Sequence, residues 1–222
     1  MNDRTWQRAG ILSGLVLAAS LAIRTLITPT VPPPTTATAT SFMTFFSDHQ
    51  SLWLWTVWLT GAVVVLGTWF YGSLRPVLAG IDGGDRAATI FFGAWIIQGS
   101  LAAARHATIA LPAMTPSMDP SIGYTLLGIA SVMLGMVWFT FALQTVTVFV
   151  ICVRSRGIAM WYVVLSGLAT VIAFLGTFSI VQLNGHFSRT AKFRWVVLWT
   201  YIGWVAITSL VFALRKDPDQ TN

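Results

Sequence analysis

The chain has 222 residues, of which 55% are hydrophobic and only 9% charged, far below the roughly 25% charge of a soluble globular domain. No stretch of mixed polar composition is long enough to bury a second core, so residues 1–222 read as one integral membrane domain with no appended soluble catalytic domain. The net charge of +6 is spread in ones, twos and threes beside apolar runs, which fits membrane topology better than a phosphate-binding face, and no nucleic-acid partner is expected.

Six apolar runs, at about 9–28, 51–71, 87–110, 120–153, 158–183 and 195–214, can each cross a bilayer core of about 30 Å as a helix. The expected fold class is therefore all-α, a polytopic membrane protein with a six-transmembrane-helix bundle. In the first run Gly10, Gly14, Ala18 and Ala22 recur every fourth position. That spacing puts small residues on one face, suited to close helix packing in the bundle or against a protein partner or second copy of the chain. Arg4 and Arg8 before this run, and the small-x-small Ser20-Leu21-Ala22 within it, also suit a signal peptide. The unbroken register of small residues argues for retention.

Residues 29–50 form the longest gap, and Pro29 to Thr40 reads as a stiff Pro-Thr spacer. The second run carries Trp53, Trp55 and Trp58 at one end and Trp69, Phe70 and Tyr71 at the other, an aromatic belt at each membrane surface. After it, Asp82-Gly83-Gly84-Asp85 reads as a flexible turn, since it lacks the further ligands of a calcium loop and the Lys of a phosphate loop. The third run is apolar to Ala104, where Arg105 and His106 precede a short apolar stretch ending at Pro112. Asp119-Pro120 is a helix-start signal, a capping carboxylate followed by proline at the first helical position. The fourth run exceeds the bilayer and is expected to tilt or protrude. Cys152, the one cysteine, lies near its end and reads as a packing residue, with no disulfide within the chain. No internal repeat is evident.

With the N-terminus inside, Arg4, Arg8, Arg75, Arg86, Arg154, Arg156, Arg215 and Lys216 flank the cytoplasmic ends, against Arg24, Arg105, Arg189, Lys192 and Arg194 outside. The excess favours cytoplasmic termini. The absence of Glu and the predominance of Arg over Lys suggest a G+C-rich bacterial genome, hence a bacterial cytoplasmic (inner) membrane.

This threading places His49, His106 and His186 on the outer side, with Asp48 and Asp119. Imidazoles and carboxylates from three loops are a conceivable metal set, although no two histidines have the i, i+4 spacing of a helical ligand pair. Solvated or interfacial histidines are the plainer reading, and haem lacks paired ligands within the spans. Arg24, Arg105 and His106, with Arg189, Lys192 and Arg194, suggest an entrance for an anionic headgroup or solute. The competing explanation is structural, with Arg24 and Arg105 in outward-running C-terminal helical turns that favour a cation and let its side chain snorkel. Within the spans, Gln98 and Gln144 are the polar candidates. Cross-helix hydrogen bonding is their expected role, and a polar path through Gln98 and Arg105 is the alternative. No Asp, Glu or Lys falls at the centre of a run, so the parts of a proton-coupled pump are missing.

The expected function is non-enzymatic, as an accessory or assembly subunit or a binder or carrier of apolar or lipid-like small molecules, with the lipid bilayer as principal partner and no cofactor. The alternative is a membrane metalloenzyme with a metal ion at the extracytoplasmic face. A sensor is a third reading, but it would need a partner to carry the signal.

Overall fold

The computed structural model describes residues 3–29, 38–81, 83–115, 117–155, 157–180 and 192–215. They form seven α-helices, with no strand among them: α1 (Asp3–Ile27), α2 (Ala39–Asp48), α3 (Gln50–Ala79), α4 (Asp85–Met114), α5 (Pro120–Arg154), α6 (Met160–Thr177, continued by a 3₁₀ turn to Ile180) and α7 (Phe193–Ala213). All but α2 are long and apolar enough to cross a membrane. The second and third spans outrun their apolar runs, because backbone hydrogen bonding continues past the hydrocarbon layer that hydropathy senses.

Only five residues separate α3 from α4, α4 from α5 and α5 from α6, which makes each pair antiparallel neighbours. Gly83 in the first connection has φ of 69°, a left-handed conformation that a side chain disfavours. Of the segment read as a flexible turn, Gly83 and Gly84 lie in the connection, Asp85 opens α4, and Asp82 lies outside the described residues. α7 returns to pack on α1 as well as α6, and α1 packs on α3, so the six spans close into a ring in the order α1, α3, α4, α5, α6, α7. Large apolar side chains such as Val65, Leu168 and Val171 stand exposed on the outside, where lipid would meet them.

The small-residue stripe of α1 closes the ring. Gly10, Gly14 and Ala18 are buried, and a Cβ on Gly14 would lie 2.6 Å from the Phe70 ring and 2.9 Å from Ser209. Ser209 Oγ, on α7, donates to the Ile11 carbonyl at 2.7 Å. Gly10, Gly14 and Ala18 thus serve the close packing of α1 against α3 and α7 within the bundle.

α2 was not expected in the Pro-Thr gap. Thr38 caps it by accepting from Ser41 N, and Phe42 and Phe46, four residues apart, share a buried face. That face packs with Trp53, Ile109, Ala113 and Ala130 as a small second core at one end of the ring. The main core fills the rest of the bundle. Tyr71 and Phe70, expected in an aromatic belt, are fully buried within it, as is Trp53 in the second. α3 continues past Tyr71 to Ala79, so these residues face other helices. Trp55 and Trp58, by contrast, are exposed.

Candidate functional site

At the α2 end the ring does not close on itself. A cavity of about 190 Å³ lies inside, walled by residues of α1, α3, α4, α5 and α7. A water needs about 10–15 Å³ on such a scale, so the space exceeds a single ion and its shell. Trp53, Trp95, Trp138, Leu134 and Val63 give it apolar walls, while Gln98 and Tyr201 are polar lining residues.

A hydrogen-bond chain through four helices joins those two residues. Tyr71 Oη donates to Gln144 Oε1 at 2.9 Å, and Gln144 Nε2 donates to Gln98 Oε1 at 2.7 Å. The single Tyr71 proton is thereby committed, so the 3.3 Å contact between the Tyr71 and Tyr201 hydroxyls has Tyr201 as donor. Every bond points the same way, from Tyr201 on α7 through Tyr71 on α3 and Gln144 on α5 to Gln98 on α4. Gln98 accepts with Oε1, which leaves its amide N–H groups to offer the cavity. Trp95 is stacked on Tyr71 with ring centroids 4.5 Å apart and planes 5° apart. It holds the chain on its cavity side.

Above this floor are Arg24, Arg105, Arg194 and His106. His106 Nδ1 lies 2.7 Å from the Ala102 carbonyl, and its Nε2 3.3 Å from Arg105 Nη1. A carbonyl can only accept and a guanidinium can only donate, so Nδ1 carries the proton and Nε2 accepts. The imidazole therefore fixes the direction of Arg105. Arg194 lies over the Trp195 ring, 4.9 Å from its centroid. No carboxylate is among the described residues lining the cavity.

His106 is buried on α4, with two further turns of helix after it, which corrects the reading of a solvated histidine. Arg105 likewise stands nine residues before the end of α4, about 14 Å along the axis. It does not occupy a C-terminal turn, and the macrodipole does not account for it. Arg24 does lie in the last turn of α1. Arg194 sits in the first turn of α7, the end that disfavours a cation.

The candidate metal ligands do not group in threes among the described residues. His49 Nδ1 donates to the Phe45 carbonyl at 2.8 Å, and Asp48 is exposed at the end of α2. Asp119 caps α5 as its sequence suggested, accepting from Ser121 N and Oγ at 2.8 and 2.7 Å. These bonds hold its carboxyl below the ordinary range. The Nε2 lone pair of His106 is engaged by Arg105. His186 lies outside the described residues.

The structure thus brings together Arg24, Gln98, Arg105 and, through one hydrogen bond, Gln144, from four separate candidates. Sequence reasoning missed Tyr71, Tyr201, Trp53 and Trp95. A signal existed: Thr56, Thr60, Val63, Gly67 and Tyr71 recur every third or fourth position, and all are buried on one face of α3.

No protein-family model, curated protein or solved structure matches the chain.

Proposed function

We propose that this chain is a non-enzymatic binder or carrier of apolar or lipid-like small molecules, held in the cavity at the α2 end of the ring. It would work in a bacterial cytoplasmic membrane with both termini cytoplasmic and the cavity toward the outer leaflet. The observation that carries this reading is the cavity itself, tryptophan- and leucine-walled with a few polar groups among its lining, which is the usual make-up of a small-molecule site. The uncommitted amide donors of Gln98 supply orientation, and the apolar walls supply affinity.

Gly99 provides the test. A Cβ there would meet Trp95 and Val64 no closer than 3.7 Å, so a larger side chain can enter the cavity that Gly99 lines without breaking α4. Protein purified in a neutral maltoside detergent is expected to retain about one extractable amphiphile per chain. Gly99→Phe is expected to retain less than a fifth of that while staying folded. Equal lipid content in the two proteins would refute the reading, because lipid bound around the outside does not depend on Gly99. The orientation has its own measurement: a fluorescent reporter fused to the C-terminus is expected to mature in the cytoplasm, and periplasmic phosphatase activity from the equivalent fusion would reverse it.

A further inference from the structure

Resting on that reading of the cavity, we propose that Arg24, Arg105 and Arg194 form a headgroup subsite for a phosphate-type anion carried on an apolar tail. Two observations point to it independently. The first is charge: Arg24 on α1 and Arg105 on α4 line one cavity within electrostatic reach of each other, Arg194 on α7 lines it too, and no carboxylate is among the described lining residues. Like charges gathered in a low-dielectric site repel and are costly to desolvate, so an arrangement of this kind calls for a compensating anion. A multiply charged oxyanion answers the paired guanidiniums of Arg24 and Arg105 better than a single carboxylate, and the planar guanidinium matches its oxygens.

The second observation is unspent donors. Arg105 Nε is buried with no hydrogen-bond partner, while its Nη1 is held by His106. Trp53 is 1% exposed, lines the same cavity and has an unpartnered indole N–H. Buried donors are nearly always satisfied in native structures. Donors left over beside a cationic cluster are groups an acceptor-rich, donor-poor ligand would engage. Helix-end electrostatics explain only Arg24 of the three, as the positions of Arg105 and Arg194 along their helices show. Below the cluster, Trp95, Leu134 and Val63 present the apolar surface for a tail.

The test uses the full chain in neutral maltoside micelles with dodecyl phosphate, 1-dodecanol and inorganic phosphate as probes, read by native mass spectrometry and thermal shift. Dodecyl phosphate is expected to bind at least tenfold more tightly than either other probe. Arg105→Gln and Arg24→Gln are each expected to lose at least tenfold for dodecyl phosphate while leaving dodecanol unchanged. Both variants are also expected to unfold at a higher temperature than the parent when no anion is present, since each relieves repulsion; arginines serving only as helix-end anchors would give the reverse. Equal binding of dodecyl phosphate and dodecanol, insensitive to both substitutions, would overturn the headgroup subsite and leave the apolar cavity standing. Inorganic phosphate binding as tightly as dodecyl phosphate would keep the anion site and remove the tail. No binding of any probe would overturn the cavity reading and this one with it. Should Arg105→Gln not fold, Arg24→Gln in the last turn of α1 carries the same comparison.

Discussion

Gly67→Ala is expected to lower the unfolding temperature and to weaken amphiphile binding together, whereas Gly61→Ala leaves binding in place and raises the unfolding temperature slightly. Gly67 on α3 faces the indole of Trp95 on α4 so closely that an added Cβ would stand inside the ring's contact distance. The ring has nowhere to retreat. It lies flat on Tyr71, its Nε1 donates to Thr68 Oγ1 at 3.2 Å, and the residue is 2% exposed. Overpacking of this kind costs about 1–3 kcal/mol, which for a chain of this size corresponds to roughly 2–4 °C per kcal/mol. Trp95 is also a cavity wall, so its displacement reaches the site. Gly61 meets nothing within 4 Å and serves as the control, since replacing a mid-helix Gly by Ala removes only a backbone-entropy penalty of about 0.5–1 kcal/mol. A Gly67→Ala protein melting within a degree of the parent would show that Trp95 is not held as described.

The six spans were legible because a bilayer imposes a length and a composition on any helix that crosses it, and both are local properties of the chain. Their ends were less so. α3 passes through Arg75 and Pro76 to Ala79, because hydropathy reports where lipid stops and not where hydrogen bonding does. The ten residues of α2 are too short to register as a span. Only the Phe42 and Phe46 spacing, with Thr38 before it, carried a signal. His106 was misread for a related reason: an Arg-His pair resembles a helix end, yet Ile109, Ala110 and Ala113 beyond it keep the helical period and are buried. The need of Gln98 and Gln144 for partners was readable, since lipid offers amides none. Which partners they found was not, because the ring closure of α1 on α7 and the placing of α3 between α1 and α4 are long-range outcomes. That order brings Tyr71 and Tyr201 to the amides.

Gln144→Leu is expected to destabilise the fold by about 2 kcal/mol, and the double variant Gln98→Leu with Gln144→Leu by less than the sum of the two single changes. Gln144 is fully buried and is the middle of the chain, accepting from Tyr71 and donating to Gln98. Replacing it alone leaves Gln98 Oε1 without a donor and costs the Tyr71 hydroxyl its 2.9 Å acceptor, leaving it only the longer 3.3 Å contact with the Tyr201 hydroxyl. A buried orphan costs about 1–3 kcal/mol, but interhelical hydrogen bonds in membranes average only about 0.6 kcal/mol, because the unfolded helices also find partners in the bilayer. The lower part of the range therefore applies. Removing both amides puts apolar groups of similar size on α4 and α5, removes the orphaned Gln98 Oε1 and leaves Tyr71 paired with Tyr201 alone, so a coupling of about 1 kcal/mol is expected from detergent-titration unfolding of the four proteins. Strict additivity would mean that the 2.7 Å contact contributes nothing to stability. The double variant also separates packing from the site. It is expected to stay folded while holding an amphiphile more weakly than the parent, because the chain that ends in the Gln98 N–H groups no longer delivers a donor to the cavity floor. Undiminished binding in that protein would confine the amides to holding the helices together.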